Sequence, residues 1–323
     1  MARDLDDQLN KYLADAHSIE EQALQQLRGA PDAAGDPELA EIFRDHLVET
    51  EEHERLVRSR LEERDSDPSR LKDLLMRVGG AGFLLFAKAQ PDTPGKLVAH
   101  AYSYEHLEAA AYELLKRVAE RAGDDATVQT AMRIREQEER MGKRLEDSFD
   151  RAVDASLRDV SPDDLGEQLN KYLADAHALE SQAVTLLEKG PDLSGDPGLS
   201  SLYEQHLGET REHQQLVQGR LDARGGDTSN LKDTAMKAGA LNWGMFFQLH
   251  PDTSGKLAAF AYAFEHLEIA AYEELKRVAQ RARDPETAAV TEQILAQERV
   301  AAENIRGAFD RAVEVSLEEV GVL

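Results

Sequence analysis

The sequence predicts an all-α chain made of two tandem four-helix bundles, 1–160 and 161–323, each with one long connection between its second and third helices. Three observations carry this. First, the chain repeats itself: QLNKYLADAH at 8–17 returns at 168–177, PDTPGKL at 91–97 as PDTSGKL at 251–257, AYELLKRVA at 111–119 as AYEELKRVA at 271–279, and FDRAV at 149–153 at 309–313. The offset is the same each time, so no insertion separates the halves, and the join is the short polar breaker Ser161-Pro162-Asp163-Asp164. Second, apolar residues recur at steps of three and four, cut by helix start and stop signals. Third, period-two alternation is nowhere sustained, which leaves no strand to assign.

The elements follow in order. A first helix runs from about Leu5 to Leu27 and stops at Gly29-Ala30-Pro31. Asp36-Pro37 supplies an N-cap and a proline at the first helical position, opening a second helix to about Arg64; Asp196-Pro197 repeats the signal. Asp65-Ser66-Asp67-Pro68 breaks the chain, and a crossover with one or two shorter helices leads to Pro91-Asp92. A third helix spans about Gly95 to Arg121 and a fourth about Ala126 to Leu157, with Asp284-Pro285 marking the fourth start in the second half.

Composition removes several classes of function. The 323 residues are about twice a usual domain. Lys and Arg number 38 against 63 Asp and Glu, a net charge of −25, which excludes a general nucleic-acid binder because phosphate contacts need a cationic face. Cysteine is absent, so disulfides, thiolate metal sites and cysteine nucleophiles are absent too. The opening MARDLDDQLNKY is charged from its third residue, and no apolar run approaches the ~20 residues that span a bilayer, so a soluble cytoplasmic protein is expected. The apolar crossover stretch Phe83–Phe86, matched around Trp243, reads as cover for the bundle or packing between halves ahead of a membrane-surface or partner patch.

The apolar stripes contain carboxylates. The first helix gives Leu9, Leu13, Ala16, Glu20, Ala23, Leu27; the second Ile42, His46, Glu49, His53, Leu56, Arg60; the third Val98, Ala101, Glu105, Glu108, Tyr112, Leu115; the fourth Ala131, Ile134, Glu138, Met141, Leu145, Phe149. The second half matches with Glu180, His206, Glu209, His213, Glu265, Glu268 and Glu298, and the histidines pair by the same offset at 17/177, 46/206, 53/213 and 106/266. Carboxylates facing one another in a core cost several kcal/mol unless protons or cations compensate. Oxygen and imidazole donors without thiolate suit iron or manganese, and also accept zinc.

The runs DAHSIEEQAL, HLVETEEHERL and YEHLEAAAYELL, with DAHALESQAV, HLGETREHQQL and FEHLEIAAYEEL, make each half resemble the ferritin-like superfamily, in particular the YciE/YciF-like (DUF892) stress-protein family. The resemblance implies a four-helix bundle with a carboxylate-bridged di-iron or di-manganese centre, and puts metal ligands at Glu20, Glu49, His53, Glu105, Glu108 and Glu138, and at Glu180, Glu209, His213, Glu265, Glu268 and Glu298. Glu105 with Glu108 looks like the double carboxylate of a rubrerythrin-type third helix. Two departures stand out. Glu49 and His53 are spaced i, i+4 where such centres usually have i, i+3, which Glu52 (Glu212) would satisfy. The ferritin histidine of the fourth helix falls at Met141 and Ala301, neither of which replaces it. His17 (His177) is open as a ligand, a supporting donor or a histidine hydrogen-bonded between helices.

Two functions from different classes follow. One is a metal-binding protein of oxidative or general stress, with ferroxidase or peroxide-consuming chemistry if it is an enzyme. The other is a structural or interaction protein with vestigial sites. Expected partners are metal ions and the pairing of the two repeats with each other, with further oligomerisation open.

Overall fold

The computed structural model describes residues 5–64, 93–226 and 253–323. The expected crossovers, with the Phe83–Phe86 and Trp243 stretches, lie outside the described residues. The fold is all-α. The first half holds α1 (Leu5–Leu27), α2 (Ala30–Ala33), α3 (Pro37–Glu63), α4 (Thr93–Ala122), α5 (Asp125–Glu146) and α6 (Phe149–Ser156). After a 3-10 turn at Pro162–Asp164 the second holds α7 (Leu165–Leu187), α8 (Gly190–Leu193), α9 (Pro197–Ala223), α10 (Thr253–Arg281), α11 (Pro285–Gly307) and α12 (Phe309–Glu319). No helix among the described residues is long and apolar enough to cross a membrane.

The caps form where the sequence puts them. Asp36 accepts from the backbone N–H of Glu38 and Leu39 at 3.0 and 3.2 Å, and Asp196 accepts from Gly198 and Leu199 at 2.9 and 3.0 Å. Asp124 and Asp284 cap α5 and α11 through Thr127 and Thr287, and their carboxylates also receive Arg60 with Arg64 and Arg220 with Arg224. One residue thus starts a helix and ties it to the end of another. Two details differ from the sequence reading. The Gly29-Ala30-Pro31 stop contains a further turn of helix, α2. The expected single fourth helix is broken at Ser148 and Ala308, whose backbone N–H groups reach back only three residues, to Leu145 and Ile305.

In the first half α1 packs on α3 and α4, α4 on α5, and α3 on α5; the second half repeats this with α7, α9, α10 and α11. The halves meet chiefly along α4 and α10. Their contacts are reciprocal. Lys96 pairs with Asp175 at 3.0 Å and Lys256 with Asp15 at 2.9 Å; Arg117 and Arg121 reach Asp310 while Arg277 and Arg281 reach Asp150. Contacts in which residue i meets j′ and j meets i′ are those of an approximate two-fold axis. On that axis the imidazoles of His106 and His266 stack with centroids 3.5 Å apart. Both clusters of buried apolar side chains draw on both halves, so the paired repeats share their core.

Candidate metal centre

Four helices of the first half each deliver polar side chains to one buried place. Glu20 comes from α1, His46 and His53 from α3, Glu105 and Glu108 from α4, and Glu138 from α5, all buried. They form two adjoining groups. In one, ligand atoms of His46, Glu105, Glu108 and Glu138 lie within 4.8 Å of one another; in the other, those of Glu20, His53 and Glu138 do. Glu138 belongs to both, and its oxygens divide between them. Oε1 lies 2.7 Å from His53 Nδ1, and Oε2 lies 3.7 Å from His46 Nε2. His46 Nε2 is also 3.1 Å from Glu105 Oε2, and His53 Nδ1 is 3.9 Å from Glu20 Oε1.

The second half repeats the arrangement with Glu180, His206, His213, Glu265, Glu268 and Glu298. His213 Nδ1 is 2.8 Å from Glu298 Oε1, and His206 Nε2 lies 3.7 Å from Glu298 Oε2 and 2.8 Å from Glu265.

Of the residues that the sequence marks as ligands, Glu20, His53, Glu105, Glu108 and Glu138 come together, as do their equivalents 160 residues on. Glu49 and Glu209 do not. Each is partly exposed and sits behind the neighbouring histidine, with Glu49 Oε2 3.4 Å from His46 Nδ1 and Glu209 Oε2 3.3 Å from His206 Nδ1. If Nδ1–H donates there, Nε2 turns its lone pair into the centre, the tautomer a metal ligand needs. Glu52 points outward to Arg133 at 2.5 Å, and Glu212 is exposed. His17 stands apart, bound to Glu54 at 2.9 Å.

His46 and His206 are what the sequence reading missed. They lie on the seam as read, yet the ligand role went to the Glu four residues before His53. The available signal was the spacing of His46 and His53, seven residues or two helical turns, which puts both imidazoles on one face of α3. His46 thus brings a second imidazole to a centre whose fourth long helix has none.

The sequence profile described as "Domain of unknown function (DUF892)" matches residues 4–158 and again residues 164–318. The chain belongs to the DUF892 family. It is two DUF892 domains in tandem, each match spanning one repeat. No solved structure matches the chain.

Each DUF892 repeat gathers ionisable groups in a buried place. Burial, reinforced by Glu138, pushes the Glu20 carboxyl up to about 8; burial likewise raises Glu105 to about 7 and Glu108 well above the usual carboxylate range. In the second repeat Glu180 stands at about 8 and Glu265 at about 7 for the same reasons. Burial also opposes charge on Glu138, but hydrogen bonding from His53 and the charge of His46 outweigh it and hold its carboxyl below the usual range. The imidazoles of His46 and His53 are raised: burial works against this and the facing carboxylates prevail. Without a cation, protons must therefore do the neutralising.

The polar atoms confirm how incompletely the side chains satisfy one another. Among the described residues, both oxygens of Glu108 and of Glu268 are buried with no hydrogen-bond partner, as is Nε2 of His53. Such orphaned groups cost of order 1–3 kcal/mol each unless something binds them. The Tyr112 hydroxyl donates to Glu20 and that of Tyr272 to Glu180, fixing one oxygen of each and leaving the other unpartnered among the described residues. Carboxylate and imidazole donors in this density could hold a metal ion.

Proposed function

We propose that the two halves, 1–160 and 161–323, are ferritin-like four-helix bundles of the YciE/YciF kind, each holding two iron or manganese ions in the service of oxidative or general stress. One observation supports this above the rest: Glu138 and Glu298 each turn one oxygen to one histidine-bearing group and the other oxygen to the next, as a bridging carboxylate does. In the first bundle His46, Glu105 and Glu108 would hold one ion, Glu20 and His53 the other, with Glu138 between them. Bound iron would supply electron transfer to dioxygen or peroxide. The chain's own part is positioning and exclusion. The Tyr112 hydroxyl sets the rotamer of Glu20, Glu49 sets the tautomer of His46, and the apolar seam keeps water from the carboxylates. Protons held on Glu20 and Glu105 leave as cations arrive, so binding strengthens as pH rises.

The test is metal content and thermal stability of the full chain. Protein freed of metal and dialysed anaerobically against Fe(II) or Mn(II) should hold stoichiometric metal, and its melting temperature should rise, as a ligand that binds only the folded state adds about 2.7 kcal/mol at a hundredfold excess over Kd. An unmoved melting temperature with metal near zero would leave a structural protein with vestigial sites as the account.

A further inference from the structure

The surroundings of His46 and His206 differ. A cavity of about 20 Å3 opens beside His206, lined among others by Leu202, Glu209, Ala301, Asn304 and Ile305. That is room for a water molecule or a small cation. His206 is 4% exposed, whereas His46 is wholly buried. The difference follows from three positions. Where the second repeat has Ala301, the first has Met141, whose longer side chain is buried in the core. Where the second has Asn304 and Gln205, the first has Arg144 and Asp45, joined by an ion pair at 2.9 Å. In the second repeat the Gln205 amide turns instead to Glu209, donating to it at 3.2 Å. Glu209, with Asn304 where the first repeat has Arg144, thus stands beside an opening that leads to His206.

The geometry points to this gap between α9 and α11 as the passage by which divalent cations and small polar molecules reach the second-repeat centre, the first being closed by Met141 and the Arg144–Asp45 pair. The assignment rests on the metal reading above. Glu209 at the mouth attracts a cation and His206 receives it. In the first repeat the guanidinium repels the ion at the corresponding place, and the methionine fills the way in. The repeats should therefore load at different rates although their inner ligands are alike.

The experiment is anaerobic stopped-flow loading of the metal-free full chain with Co(II), whose ligand-field absorption reports binding, together with hydrogen–deuterium exchange at the histidine C2 positions of the same metal-free protein. Two phases of equal amplitude are expected. The variant A301M/N304R should slow the fast phase by roughly tenfold or more, and M141A/R144N should quicken the slow one, both with unchanged final stoichiometry. In the exchange measurement His206 should exceed His46, and A301M/N304R should remove the difference. A single loading phase, or equal exchange at His46 and His206, would overturn the passage. If no cobalt binds at equilibrium while His206 still exchanges faster and the variant slows it, the metal reading fails and the solvent passage stands. Because one variant fills space and the other frees it, misfolding of either leaves the opposite test in place.

Discussion

Glu138 and Glu298 stand at equivalent points of the two repeats, with closely similar distances to their histidines: 2.7 and 3.7 Å in the first repeat, 2.8 and 3.7 Å in the second. Around these centres the repeats have drifted apart. His17 faces Glu21 and Glu54 in the first, whereas the equivalent positions in the second are Ser181 and Gln214, hydrogen-bonded to each other at 2.7 Å. Tyr104 donates to the Ile19 carbonyl at 3.0 Å where the second repeat has Phe264. Gln297 accepts from His213 at 3.1 Å, while the Gln137 oxygen is buried without a partner among the described residues. Six buried ionisable side chains in mutual contact cannot change singly, because any loss alters the charge and hydrogen bonding of the rest. The surrounding pairs are local, and each can be exchanged for another self-satisfied pair.

The largest effect that could sharpen this contrast is removal of the shared carboxylate. E138Q should abolish binding in the first repeat alone and E298Q in the second, each lowering metal per chain by about half, since glutamine offers no anionic oxygen to either ion. The supporting carboxylates should matter less: E49Q or E209Q should weaken binding by about 10- to 100-fold without abolishing it. Elemental analysis and competition with a chelator measure both. Equal losses from E49Q and E138Q would contradict the division into ligands and supports.

A middle-sized effect comes from pH, and there the repeats should agree. Glu20 and Glu180 titrate at about 8 in the folded chain, and Glu105 and Glu265 at about 7, all above the ordinary 4.5. Between pH 4.5 and 8 the folded state thus holds protons that the unfolded state has released, so stability falls as pH rises through that window. The raised His46 and His53 act in the same direction, and the lowered Glu138 costs stability only in more acid solution. The metal-free chain should melt lower at pH 8 than at pH 6, and the stabilisation by Mn(II) should grow over the same interval. Calorimetry showing the reverse slope would mean that the carboxylates are not buried as protonated groups.

The smallest effect concerns the turns before α5 and α11. Gly123 adopts φ +70°, which glycine does freely, whereas the equivalent Arg283 is held at φ +58°. A left-handed non-glycine residue costs about 1–2 kcal/mol, part of which the greater unfolded-chain freedom of glycine offsets. R283G should therefore stabilise the second repeat by up to about 1 kcal/mol, and G123R should cost the first a similar amount, both read as shifts in melting temperature.

Much of this protein was legible without coordinates. The tandem repeat, the helices and the aspartate caps are local facts, carried by spacing and by residues such as Asp36-Pro37 that act within one turn of themselves. Glu20, Glu105, Glu108 and Glu138 could be read as inward-facing because helical period assigns a face to each residue. What the period does not assign is depth. Glu49 and His46 share the α3 seam three residues apart, and only the packing of α1, α4 and α5 around that helix decides that His46 points to the centre while Glu49 stands behind it. The reciprocal pairing of α4 with α10, and an opening at Ala301 where Met141 closes its own side, likewise depend on residues distant in sequence meeting at van der Waals range. Local chemistry set which residues could be ligands; the rotation and spacing of packed helices decided which of them face one another.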